Sequence, residues 1–207
     1  MREINHYVGY EITNDVINKI NLMAMTRYEE GVFSVLYEGV DTLDKLCNWH
    51  GARADEENVV MGQDWVIVYV KRNNELELVE WLDVDVVDDK FLQTMEMFNA
   101  MKKILLENRD LELVADMRHD TSYQFYKMMK KNGYLETKKE VIGCEESAPG
   151  DVLDYADKII DEFGSYEGFL DGDLREIRDD YGRYFYHSLT FGVTDKFVKK
   201  YCKNNNL

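Results

Sequence analysis

The stretch DWVIVYVKRNNELELVEWLDVD, residues 64–85, limits what this chain can become more than any other. Its first half is a continuous run of β-branched and aromatic residues, which suits a strand covered on both faces rather than one with a wet side. RNNE then supplies a hairpin-type turn, and LELVEWLDVD returns as a second strand. Covering both faces of such a hairpin requires helices from elsewhere in the chain.

The flanking sequence provides them. Thr13, Asn14 and Asp15 can cap a helix in which Val16, Ile17, Ile20 and Ala24 recur at helical spacing. A second helix starting at Asp41 or Thr42 buries Leu43, Leu46 and Cys47. After the hairpin, the spacing predicts a helix from Phe91 to Asn108 with Phe91, Met95, Phe98, Ile104 and Leu105 as its apolar stripe. LELVADM reads as a strand. TSYQFYKMMKKNG reads as a helix capped by Thr121 and ended by Gly133. The class is therefore α/β in the α+β sense, a sheet flanked by helices.

The sole proline, Pro149, lies in EESAPGD and marks a boundary. We divide the chain into a domain at 1–144, expected to fold alone, and an acidic C-terminal appendage at 145–207. The appendage is polarised: residues 145–180 hold 13 acidic and 3 basic side chains, whereas residues 181–207 hold 5 basic and 1 acidic. Helical spacing in GDVLDYADKIIDEF predicts a helix there, packed on the rest through Val152, Ala156, Ile159 and Phe163.

The formal net charge of −16 gives the chain a field that repels phosphate polymers and anionic membranes. Direct nucleic-acid and membrane partners are thus excluded, and the absence of a long apolar run predicts a cytoplasmic protein. Cys47, Cys144 and Cys202 form no C-x-x-C pair, and the four histidines are scattered, so no metal is expected. Ser122 and His119 are neighbours, but without a G-x-S-x-G elbow they are better explained by the turn.

The order of elements, together with HDTSYQFYKMMKKNGY, resembles the GCN5-related N-acetyltransferase (GNAT) superfamily over about residues 60–136. That family carries a motif N-x-x-A-x-x-x-Y-x-x-x-G-F on the helix in question. The resemblance implies a GNAT-like mixed, mostly antiparallel sheet and acetyl-CoA as acyl donor to an amine or protein substrate. It places Tyr126 as the acid that protonates the thiolate, and Val84, Val86, Val87, Lys90 and Ser122 against the cofactor. One departure is plain: where the family has Q/R-x-x-G-x-G/A, this chain has DVDVVDDKFLQ, without a glycine, and Asp88 and Asp89 would repel a pyrophosphate. A narrower likeness to the small GNAT-like proteins of short-tailed bacteriophages implies a phage origin and a host or virion protein as partner. In that case the chain would sit in the host cytoplasm or the virion. The acidic segment also suits a nucleic-acid mimic that inhibits a host defence enzyme.

Strand alternation puts Leu76, Leu78, Glu80, Leu82 and Val84 on one face, with Glu80 the lone carboxylate. If buried, it is a candidate general base for an ammonium substrate. If a bulge or splayed strands turn it outward, it is merely wet. Tyr126 has the same two readings, a proton donor or a core ring whose hydroxyl finds a neighbour.

Overall fold

The computed structural model describes residues 3–28, 39–84, 89–116, 120–144 and 185–202. The order is β1 (Asn5–Val8), α1 (Asn14–Tyr28), α2 (Leu43–His50), β2 (Glu57–Met61), β3 (Trp65–Arg72), β4 (Glu75–Asp83), α3 (Lys90–Glu107), β5 (Glu112–Asp116), α4 (Asp120–Lys131), β6 (Leu135–Cys144), β7 (Phe185–Val193) and α5 (Asp195–Cys202). The strands make one sheet in the order β1-β2-β3-β4-β5-β7-β6. Among the described strands only the β4–β5 pair is parallel, and α3 is its crossover. This is the mixed, mostly antiparallel sheet flanked by helices that the sequence predicts.

Local chemistry explains the boundaries. Thr42 caps α2 by accepting from the Lys45 amide, and Asp89 caps α3 by accepting from the Leu92 amide. Gly133 takes φ +67 just past α4, while the Gly133 and Tyr134 amides reach back to the carbonyls of Lys130 and Met129, closing the helix end. From Trp65 to Val70 every residue of β3 is buried, as its unbroken apolar run requires. One face of β2–β4 packs on α1 and α2 through Ile12, Val16, Ile17, Ile20, Leu46, Val66, Val68 and Leu82. The other carries the larger cluster under α3, α4 and α5, with Tyr69, Leu78, Trp81, Met97, Phe125 and Phe197.

Two expectations need correction. The α3 stripe holds in its second half and fails in its first: Ile104 and Leu105 are buried and Phe98 packs against the core, but Phe91 and Met95 are 76% and 39% exposed while Met97, Ala100 and Met101 are buried. Helical spacing leaves the first two turns open, and packing on the sheet decides them. The boundary at 144/145 also fails in part. β7 lies between β5 and β6 and pairs with both, so residues 185–202 belong to the same sheet as residues 5–144. The expected helix near Val152 and its packing residues lie outside the described residues.

The α3 face buries a cost as well. Glu96 is 7% exposed, and neither carboxylate oxygen has a hydrogen-bond partner among the described residues. An orphaned buried polar group costs about 1–3 kcal/mol. Glu96→Leu is therefore expected to raise stability by about that amount in urea unfolding. A loss of stability on this substitution would show that Glu96 has a partner in solution.

Candidate functional site

The site is set by an irregularity in β4. Val68 pairs with Glu80 and Tyr69 with Leu78, so Val79 is an extra residue, a β-bulge. The bulge exchanges the faces of the strand. Leu76 and Leu78 join the α3–α4 cluster, while Glu80 and Leu82, opposite Val68 and Val66, turn to the α1–α2 face. The single row from Leu76 to Val84 that alternation predicts is thus split in two. Among the described residues, Leu78↔Ala115 is the last β4–β5 pair; β5 ends one residue later at Asp116, while β4 runs on to Asp83. Glu80 stands just beyond the last described β4–β5 pair, on the α1–α2 side, and is 5% exposed.

Tyr126 is not beside it. Its ring lies in the opposite cluster, 5.4 Å from Phe191 of β7 with the Lys130 ammonium 5.5 Å away, and its hydroxyl shares a hydrogen bond with Thr137 of β6. β7 separates β6 from β5, so this hydroxyl is committed on the far side of β7 from the β4–β5 pair. Counting back from Gly133 by Y-x-x-x-G places Met129, fully buried, in the tyrosine position of the motif and Phe125 in its alanine position. Phe125 packs against Trp81 at 5.4 Å and Phe98 at 5.1 Å, filling the space between β4, α3 and α4.

The far end of β4 is equally occupied. Lys90 Nζ donates to Asp83 Oδ2 at 2.7 Å and to the Val84 carbonyl at 3.1 Å. Gln93 Nε2 donates to that same carbonyl at 3.0 Å and to the Asp64 carbonyl at 2.7 Å. Asp89 Oδ1 accepts from the Leu92 amide at 2.9 Å, placing a carboxylate where an anion would approach the helix. These residues do not fit a pyrophosphate. Val86 and Val87 lie outside the described residues, as does the side chain of Ser122.

On the α1 side a cleft of about 560 Å³ opens between α1 and the β1–β2 edge. Lys19, Leu22 and Met23 form one wall, Asn5 and Tyr7 the other, and it reaches Val84, which shares alternation with Glu80 and Leu82.

A buried cluster that the sequence reading overlooked fastens α2. His50 Nδ1 is 2.8 Å from Glu57 Oε1, their side chains 1% and 0% exposed. Cys47 lies one turn before His50, but burial, and secondarily Glu57, push its thiol up to about 11, so it holds little thiolate at neutral pH. The i, i+3 spacing of Cys47 and His50 was visible in the sequence; the Glu57 partner was not. Among the described residues no group of three or more His, Cys, Asp or Glu is placed to hold a metal. None of the described helices is long and apolar enough to cross a membrane.

No protein-family model matches the sequence, and no curated protein does. Among solved structures, the chain is similar to a probable acetyltransferase from Staphylococcus epidermidis, with 13% identity, a TM-score of 0.48, and 94% of this chain and 99% of that one covered. It is also similar to an acetyltransferase (GNAT family) from Bacillus anthracis, with 12% identity, a TM-score of 0.35, and coverage of 92% and 95%. Neither likeness says anything about activity here. The sheet order, with its one described parallel pair and the bulge beside it, matches the mixed, mostly antiparallel sheet that the GNAT resemblance implies.

Proposed function

We propose that this chain is an N-acyltransferase that moves an acyl group from a thioester to an amine, with Glu80 as the general base. One observation carries this reading: the bulge at Val79 that turns a buried carboxylate, Glu80, to the α1–α2 face just beyond the last described β4–β5 pair. Glu80 would take the proton of the attacking amine as the new N–C bond forms and the C–S bond breaks. Water, not Tyr126, would protonate the departing thiolate, because the Tyr126 hydroxyl is held by Thr137. The net charge of −16 favours a cationic amine or a basic protein as acceptor. Acetyl-CoA is the donor that the GNAT resemblance implies, although Lys90 and Asp89 are already engaged where its pyrophosphate would lie.

Acetyl transfer to a panel of polyamines, aminoglycosides and lysine peptides, read by mass spectrometry with millimolar donor, tests this. Glu80→Gln is expected to lower the rate about 100-fold or more. Tyr126→Phe is expected to leave the rate within about threefold and to cost about 1 kcal/mol of stability through the lost Thr137 bond. An unchanged rate in the Glu80 variant sinks the base assignment, and no product from the native chain sinks the acyltransferase reading.

A second reading is favoured by the ion pair of Lys90 with Asp83 and by Met129 in the tyrosine position. On it the chain is a non-catalytic GNAT-fold protein, consistent with the bacteriophage likeness, whose partner is a host or virion protein. An acidic nucleic-acid mimic belongs to the same non-catalytic class.

A further inference from the structure

The cleft between α1 and the β1–β2 edge plays no part in the chemistry assigned to Glu80. Among the described residues it reaches the end of β4 only at Val84, about 13 Å along the strand from Glu80, and the Leu82 side chain between them is fully buried. A ligand in this cleft is therefore a second occupant of the chain, whatever Glu80 does.

The fold holds the walls in place. Asn5 pairs with Met61 in the β1–β2 ladder, so one wall and the floor are a single piece of sheet. Met61 is 3% exposed, and the Trp65 indole fills the space where Gly62 would carry a side chain, so bare backbone forms the floor there. α1 is fastened by Val16, Ile17 and Ile20, all buried in the core beneath it. Tyr7 and Met23 pack against that same core, while Leu22 is left 61% exposed at the lip. A preformed cleft of about 560 Å³ with an apolar base falls within the range of about 300–1,000 Å³ typical of small-ligand sites.

The polar groups of the lining come from different elements and are of three kinds. Glu3 supplies a carboxylate beside Asn5 and Tyr7, its neighbours at alternate positions on the β1 side. Lys19 supplies an ammonium from the opposite wall, and Asn5 and Gln63 supply amides that both donate and accept. The complementary ligand carries a cation, an anion and neutral amides around an apolar group. A short peptide with free termini has all four. Its α-ammonium suits Glu3, its α-carboxylate suits Lys19, its peptide bonds suit Asn5 and Gln63, and an apolar side chain suits Leu22 and Met23. A polyamine would set a second ammonium against Lys19. A nucleotide would bring phosphates to Glu3, with Lys19 the one cation among the described lining residues.

We propose that this cleft binds a short apolar peptide, of two or three residues, through both of its charged ends. Isothermal titration and ligand-observed NMR of the full chain with the tripeptide leucyl-glycyl-leucine test it, with binding expected to be evident by about 5 mM peptide. Acetylating the peptide's amine or amidating its carboxylate should each weaken binding about fivefold, as expected for loss of one exposed ion pair. Lys19→Gln should weaken the free peptide by a similar factor and abolish its advantage over the amidated form. Glu3→Gln should abolish its advantage over the acetylated form. Glu3, Lys19 and Leu22 are all exposed, so these substitutions leave the core intact, and Leu22→Ser should weaken all three peptides alike. Four results would overturn the proposal: no binding at about 5 mM peptide, equal binding of a peptide capped at both ends, charge preferences that survive the Lys19 and Glu3 substitutions, or tighter binding of spermidine than of the peptide.

Discussion

Isothermal titration of the full chain with acetyl-CoA at moderate salt is expected to give a dissociation constant weaker than about 1 mM, equivalent to less than roughly 4 kcal/mol of binding. The sequence from Val84 to Lys90 offers one cation, Lys90, against Asp85, Asp88 and Asp89. That cation is already paired: its ammonium is 2.7 Å from Asp83 Oδ2, and moving it to a phosphate would break an ion pair to a carboxylate that is 7% exposed. Asp89 holds the Leu92 amide, and the Val84 carbonyl has two donors of its own, so neither is available to a ligand without breaking a bond. A surface lysine contributes about 0–1 kcal/mol to a phosphate contact, which three carboxylates can reverse. Micromolar binding abolished by replacing residues 87–90 would show that the loop cradles the nucleotide after all.

A chain ending at Cys144 is expected to show no cooperative melt. Truncation removes β7, which bonds to β5 on one side and β6 on the other. It leaves β5 with a bare edge, and β6 with no strand to pair with in the sheet. It also removes Leu189, Phe191 and Phe197 from the main core. At about 1.5–3 kcal/mol for each buried large side chain, these three alone approach the 5–15 kcal/mol of a typical domain. Calorimetry of residues 1–144 beside the full chain decides it. A sharp transition in the shorter chain would mean that β1 to β5 are self-sufficient and that β7 is an addition.

Helices and the central hairpin were legible from residues 13–144 because each rests on short-range chemistry. Thr42 and Asp89 are side-chain caps, Gly133 is a left-handed stop, and the β-branched run at 65–70 admits little but a buried strand. Strands of weaker pattern were passed over. ENVVM is short, LETKKEVIGC carries three charges in succession on an edge of the sheet, and FYHSLTFGV has strand chemistry but lies beyond the proline that read as a boundary. A strand inserted between β5 and β6 from more than 40 residues away leaves no local trace, since its partners are chosen by pairing rather than by spacing.

The candidate site divides the same way. Sequence by itself determined which groups were available: a lone carboxylate at Glu80, a loop without glycine and an excess of acid over base. Only the tertiary structure decided what each faces. The unpaired Val79 turned Glu80 to the α1–α2 side, Thr137 claimed the Tyr126 hydroxyl, and Asp83 claimed Lys90. The reason is that alternation in a strand holds only between bulges. A hydrogen-bond partner is set by which elements pack together, and neither fact is written in the spacing of residues along one segment.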